Sequence, residues 1–268
     1  MWDPEVYQRY ADERTRPFQD LLGRVAAADP QFVVDLGCGP GDQTATLLQR
    51  WPGATVVGID NSPEMIHAAQ QHAVAGRLHF IEADLSTWQP GRPVDVLVSN
   101  ATLQWIPGHL DLIPRLAAML AVGGWLAFQV PSNFSAPSHT ELTALRESPR
   151  WRDRLGAGAA RAAQVHEPAD YVSTLVGLEL STDVWETTYL HLLGGADAVL
   201  EWTRGTALRP VFAVLDGAER EEFVSEYAER LRVAYPREAF GTLLPFRRIF
   251  AVAHRDPERN PAGPSSIP

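Results

Sequence analysis

Residues 33–44 read Val33-Val34-Asp35-Leu36-Gly37-Cys38-Gly39-Pro40-Gly41-Asp42-Gln43-Thr44. The β-branched residues of a buried strand give way to an acid and then to glycines at alternate positions. Glycine accepts positive φ and lets the heavy atoms of another molecule approach the backbone, so such a run after a strand marks a turn built around a ligand. Its spacing discriminates between ligands. A dinucleotide loop requires Gly-x-Gly-x-x-Gly, whose last glycine lets the following helix pack close beside a pyrophosphate. Here the run is Gly-x-Gly-x-Gly, and Asp42 stands where that last glycine would be. A carboxylate there repels a pyrophosphate, which disfavours a nicotinamide dehydrogenase. It does not repel a phosphate-free cofactor with a cationic amino-acid end.

Working outward, Ala54 to Ile59 reads as the next buried strand and ends in Asp60, nineteen residues beyond Gly41. An acid at that strand end in a doubly wound sheet accepts hydrogen bonds from a ribose diol. Taken alone, Asp60 could instead open the helix that begins at Ser62-Pro63-Glu64. A third strand, Leu78 to Ile81, runs into Glu82-Ala83-Asp84-Leu85, and a fourth, Val94 to Val98, into Ser99-Asn100. Every strand thus ends on polar residues, as expected where ligands lie across the carboxyl ends of an open α/β sheet. The cofactor that fits a glycine hollow, a ribose acid and no phosphate site is S-adenosylmethionine.

The chain has 268 residues, 45% of them apolar, enough for one domain plus an insertion. No apolar run approaches eighteen residues, and Met1-Trp2-Asp3-Pro4 opens on polar residues, so the expectation is a cytoplasmic protein with no membrane partner. A net charge of −10 argues against nucleic acid. Cys38 is the only cysteine and sits where the loop needs a small side chain. All 23 cations are arginine, the planar fork that clamps carboxylates with two hydrogen bonds. The histidines His109, His166 and His191 follow no ligand spacing, so no metal is expected, and no nucleophile elbow supports hydrolase chemistry.

Helical patterns over Pro4 to Ala11 and Arg14 to Ala26 precede the first strand, and residues 1–30 are read as a helical lid. A turn over residues 100–106 leads into a helix from Leu110 to Leu120, which Gly123-Gly124 should stop before a strand from Trp125 to Val130. Residues 131–165 read as loop with one short helix around Thr140 to Glu147. Ala169 to Leu175 reads as a crossover helix and Glu179 to Leu192 as a long strand. About fifty residues of helical pattern then precede the last strand, Phe246 to Ala253, too many for a simple connection. Residues 196–245 are therefore read as an inserted helical cap, residues 31–195 and 246–255 as the cofactor-binding Rossmann-like domain, and 256–268 as a disordered tail.

These features together resemble class I S-adenosylmethionine-dependent methyltransferases. The likeness extends outside the glycine loop. Tyr7 to Phe18, Asn100 to Trp105, Val184 to Tyr189, Glu201 to Pro210 and Leu244 to Phe250 resemble the trans-aconitate 2-methyltransferase family over nearly all of residues 1–254. The resemblance implies an α/β fold, a doubly wound, mostly parallel seven-stranded sheet with its last strand antiparallel. It also implies esterification of one carboxylate of a small tricarboxylate. By position it places Asp35, Gly37, Gly39 and Gly41 around the methionine portion, Asp60 on the ribose, Asp84 and Leu85 at the adenine edge, and Asn100, Leu103 and Gln104 beside the methionine end, with Met65 also in the cofactor set. Another di- or tricarboxylate, or an acyl-carrier-bound acid, stays open as the substrate, as does a cofactor-binding scaffold without turnover.

A carboxylic acid with a pKa of about 4 is already ionised at neutral pH, so no catalytic base is expected. Alignment should dominate, because proximity can be worth roughly 7–11 kcal/mol against about 4 kcal/mol for a charge pair at an effective dielectric of 20. A guanidinium on the attacking oxygen would blunt it. Arginines should therefore hold the other carboxylates, with Arg14, Arg209 and Arg247 as candidates and Tyr10, Trp105 and His139 as neutral donors.

Overall fold

The computed structural model describes residues 11–155 and 165–257, with side chains from residue 15 onward. The first helical segment, up to residue 10, and the tail after residue 257 lie outside the described residues. Helix α1 (Ala11–Leu22) leads into β1 (Phe32–Leu36), α2 (Asp42–Arg50), β2 (Thr55–Asp60), α3 (Pro63–Ala69) and β3 (Leu78–Glu82). Then come β4 (Val94–Asn100), α4 (His109–Ala118), β5 (Leu120–Pro131), α5 (Pro137–Arg146), α6 (Arg152–Leu155) and α7 (Pro168–Gly177). The chain continues through β6 (Ser181–Leu193), α8 (Ala198–Arg204), α9 (Arg209–Phe212), α10 (Gly217–Ala234), β7 (Arg237–Glu238) and β8 (Gly241–His254).

The strand order is β3-β2-β1-β4-β5-β8-β6, with the two-residue β7 hairpinned onto β8. The first five strands are parallel. Their register sets Leu36 opposite Ile59, Asp60 opposite Glu82 and Asn100 opposite Gln129. Parallel pairing in that register brings the polar strand ends to one edge of the sheet, which is what the sequence pattern requires of a ligand edge. The sheet is mixed, with antiparallel pairing at its end, and has helices on both sides.

The described residues divide into two compact units, one built from 14–130, 165–186 and 249–257, the other chiefly from 131–155 and 187–248. In the first, Val34, Leu36, Ile59, Leu97, Phe128 and Ile249 are buried in one apolar cluster. Each such side chain contributes about 1.5–3 kcal/mol on leaving water, so uninterrupted apolar runs are what a two-faced parallel sheet needs. The second has its own core, in which Phe223, Tyr227 and Leu231 of α10 pack with Trp151, Val199 and Leu244. The three- to four-residue spacing read in the sequence is the stripe that faces this core.

Four boundaries differ from the sequence reading. The Gly123-Gly124 pair does not stop a helix: α4 ends at Ala118, and both glycines lie inside β5, where pairing jumps from Val94–Leu120 to Val96–Trp125. A Cβ on Gly124 would come within 2.8 Å of the Ala121 carbonyl and 2.9 Å of that of Val94, so the glycine marks a strand irregularity. Helix α1 ends at Leu22, although Val25 beyond it is still buried. Residues 131–155 hold two helices instead of one, and β8 begins at Gly241, ahead of the expected start.

Candidate active site

The strand-to-helix turn after β1 is built as its composition demands. Gly37, Gly39 and Gly41 all have positive φ, at 78°, 54° and 86°. Two different reasons require glycine. At Gly37 a Cβ would lie 2.1 Å from Thr102 Oγ1, so this glycine lets the β4 connection close over the loop. At Gly39 a Cβ would meet nothing within 4 Å, so the loop there frames open space. A side-chain-free loop open in this way leaves room for another molecule to approach the main chain.

The acids around it are anchored. Asp35, 3% exposed, accepts a 2.6 Å hydrogen bond from the Thr44 hydroxyl of α2. Burial pushes its pKa up to about 7; the Thr44 bond opposes this, and the charge of Asp60 adds to it. Burial likewise pushes the Cys38 thiol up, with Asp35 and Asp60 adding to it, so Cys38 is a packed, un-ionised side chain. Asp60 accepts from the backbone N–H of Gly39 at 3.0 Å and of Ser62 at 2.9 Å. The helix cap considered for Asp60 belongs to Ser62, whose hydroxyl accepts from Met65 N–H at 3.3 Å. Asp42 opens α2 and lies 3.3 Å from the His72 ring, a carboxylate at the helix end where a pyrophosphate would otherwise dock.

Further along the edge, Asp84 is exposed and accepts from both the hydroxyl and the backbone N–H of Ser86, which hold its pKa below the usual range. Leu85 and Leu103 point into the core cluster, so they can offer a ligand only main chain. Asn100 donates through Nδ2 to Gln43 Oε1 at 2.9 Å, and Gln104, 4% exposed, donates to the Ala101 carbonyl at 2.6 Å. That leaves Asn100 Oδ1 and Gln104 Oε1 buried with no hydrogen-bond partner among the described residues. Two orphan acceptors beside a glycine hollow are costly unless a donor arrives, and a cationic ammonium is such a donor. These residues fit the amino-acid end of S-adenosylmethionine. Between them Ala101 holds φ at 54°, a conformation unusual for a residue with a side chain. Trp105, in the short turn Leu103–Trp105, is 58% exposed and is therefore not a core residue.

Of the substrate candidates in the second unit, His139 is half-buried, and this desolvation lowers its pKa from the usual imidazole value, which favours the neutral ring. Its Nδ1 lies 3.3 Å from Ser138 Oγ, and its ring meets Phe134 edge-on. Arg247 donates from Nη1 to Ser132 Oγ at 3.0 Å and from its backbone N–H to Asn133 Oδ1 at 3.3 Å. Arg209 starts α9 and is exposed. Tyr10 and the side chain of Arg14 lie outside the described residues. Sequence reading missed Ser132 and Asn133, which follow the end of β5, and the buried Arg248, whose guanidinium packs over Phe246 and Tyr189. The rule that polar residues cluster at the ends of parallel strands points to Ser132 and Asn133; nothing local points to Arg248.

A methyltransferase-domain profile matches residues 33–124. The chain is 53% identical over 261 residues to a trans-aconitate 2-methyltransferase of Streptomyces avermitilis, covering 95% of this chain and 97% of that one. It is 50% identical over 255 residues to one of Mycolicibacterium gilvum, covering 94% and 98%. Among solved structures, the YcgJ protein of Bacillus subtilis superposes with a TM-score of 0.59 at 12% identity over 90% of this chain and 98% of that one, a likeness of fold. The chain is an enzyme whose methyl donor is S-adenosylmethionine. With half of its residues shared over nearly its whole length, it belongs to the trans-aconitate 2-methyltransferase family.

Proposed function

We propose that this protein esterifies one carboxylate of trans-aconitate, producing the monomethyl ester and S-adenosylhomocysteine. The support is the half-identity with proteins of that name over 95% of the chain, together with a phosphate-free glycine hollow flanked by orphan acceptors. Bound there, the cofactor supplies a methyl group on a positively charged sulfur. In this reading Asp35, Gly37, Gly39, Gly41, Asn100, Leu103 and Gln104 hold its amino-acid end. Asp60 lies at the ribose and Asp84 and Leu85 at the adenine, with Met65 also in the cofactor set. The acid arrives ionised, so the protein has no proton to remove and its work is alignment and exclusion of water.

Arg14, Arg209 and Arg247 are the proposed clamp for the non-reacting carboxylates. Tyr10, Trp105 and the neutral His139 leave the reacting oxygen its charge. The Ser132 bond supports Arg247 in this role, because a guanidinium with one donor already fixed loses less freedom on gripping a carboxylate. The helical segment 196–245 is proposed as the cap of the substrate site and residues 1–30 as its lid. The cytoplasm is the proposed compartment, consistent with the absence, among the described residues, of any helix long and apolar enough to cross a membrane. The proposed ligands are small molecules, with no metal and no nucleic acid.

The test is methyl transfer from labelled cofactor across a panel of di- and tricarboxylates, with mass detection of the ester. Trans-aconitate should give the highest kcat/KM. Arg209→Ala and Arg247→Ala should each raise its KM by about ten- to a hundredfold, the worth of a charged hydrogen bond. Wild-type kinetics in both variants would remove the clamp, and no ester from any acid would remove the function.

A further inference from the structure

The segment from Asn100 to Gly108 is secured at its start by main-chain and hydroxyl contacts. Ala101 N–H donates to the Gln129 carbonyl at 2.9 Å, and Thr102 Oγ1 donates to the carbonyls of Gly37 and Asn100. Its far end is secured differently. His109, the first residue of α4, is fully buried, and its Nε2 lies 2.8 Å from the hydroxyl of Tyr171 on α7, also fully buried. His166 completes the group, its ring 5.3 Å edge-on from that of His109 and its backbone N–H donating to the same hydroxyl at 3.4 Å.

Stability does not account for this pair. It lies among apolar side chains, with Phe128 packed edge-on against Tyr171. It also leaves His109 Nδ1 buried without a hydrogen-bond partner among the described residues. A half-satisfied polar pair in a core is worse than two apolar rings of the same shape, and such groups repay their cost through specificity of position. What they position is written in the chain: His109 N–H donates to the Ile106 carbonyl, one residue beyond Trp105. Gln104 and the exposed Trp105 are thus strung between the Thr102 anchor, which directly follows Ala101 and its φ of 54°, and the His109 anchor.

We propose that His109 and Tyr171 are positioning residues for methyl transfer, their buried bond fixing the turn that carries Gln104 and Trp105. The proposal rests on reading that turn as part of the reaction site. In substance it predicts that the geometry of methyl transfer depends on a bond that touches neither ligand, and that cofactor affinity weakens with it because the same turn carries Gln104.

The experiment compares Tyr171→Phe and the double variant His109→Phe/Tyr171→Phe with the wild type. The readouts are thermal stability, cofactor Kd, kcat and KM on trans-aconitate, and hydrogen exchange of residues 100–108. The double variant removes the orphan nitrogen but frees the half-buried His166 N–H, so the melting temperature should stay within a few degrees of the wild type. Because the turn also carries Gln104, proposed at the cofactor's amino-acid end, cofactor Kd should rise a few-fold, while kcat at saturating cofactor falls by about tenfold or more and exchange over 100–108 speeds by a similar factor. A double variant as stable as the wild type with unchanged kcat, or unchanged exchange over 100–108 in either variant, would overturn the proposal. Should the double variant not fold, Tyr171→Phe decides by the same two readings. If the wild type esterifies no acid at all, the functional reading falls, and exchange over 100–108 alone decides the pair.

Discussion

Asp60, at the end of β2, gives its carboxylate oxygens to the backbone N–H groups of Gly39 and Ser62, within twenty-one and two residues along the chain. Ser138, in the first turn of α5, has its own backbone groups taken by side chains from far away. Its N–H donates to the Tyr235 hydroxyl, 97 positions on, and its carbonyl accepts from the Tyr227 hydroxyl at 2.5 Å, 89 positions on. Both arrangements tie up polar groups, yet the first depends on the path of the main chain and the second on particular hydroxyls. The glycine-loop unit should therefore break at its backbone, and the second unit at its side chains.

The largest effect should come from Gly37→Ala. The new methyl group would sit 2.1 Å from Thr102 Oγ1 at a φ of 78°, so both sterics and backbone conformation oppose it. Urea unfolding should show a loss of about 3 kcal/mol or more, and a loss under about 1 kcal/mol would mean that the loop path is not what closes this unit.

Next comes the dependence on pH through Asp35. Its folded pKa of about 7 lies above its unfolded value of 3.8, so between these the folded protein binds a proton that the unfolded chain does not. Stability of the ligand-free protein should therefore fall as pH rises from about 4 to about 7, by a few kcal/mol at most, and change no further above that from this group. Asp35→Asn should flatten the fall measured by denaturation at several pH values. If the two proteins keep the same slope, the carboxyl is ionised in the fold and the account of its burial is wrong.

The smallest effect tests the second unit. Tyr227→Phe deletes one hydroxyl and with it the long-range bond to the Ser138 carbonyl, and should cost about 0.5–1.5 kcal/mol by unfolding while leaving cofactor affinity unchanged. An altered cofactor Kd would blur the distinction between the two units.

The same contrast explains what could be read from residue order. Parallel strands announce themselves as apolar runs with polar ends, so β1 to β4 and the residues Asp35, Asp60, Asp84 and Asn100 follow from local pattern alone. The amphipathic spacing of α10 is equally local. The irregularity in β5 was misread because a glycine pair has the same appearance at a helix stop and inside a strand; only the pairing with Val94 distinguishes them. The bond between His109 and Tyr171 spans 62 positions, and that between Arg247 and Ser132 spans 115. No periodicity encodes such partnerships, which arise only when the sheet has brought distant segments together.

Cys38 sits in the middle of the glycine loop, buried, and is the chain's sole thiol. A colourless disulfide reagent that releases a coloured anion on reaction can therefore modify this protein at one place only, and only in the moments when that turn lifts from the strands beneath it. The enzyme thus comes with its own stopwatch for the breathing of its glycine loop, with no label to be engineered.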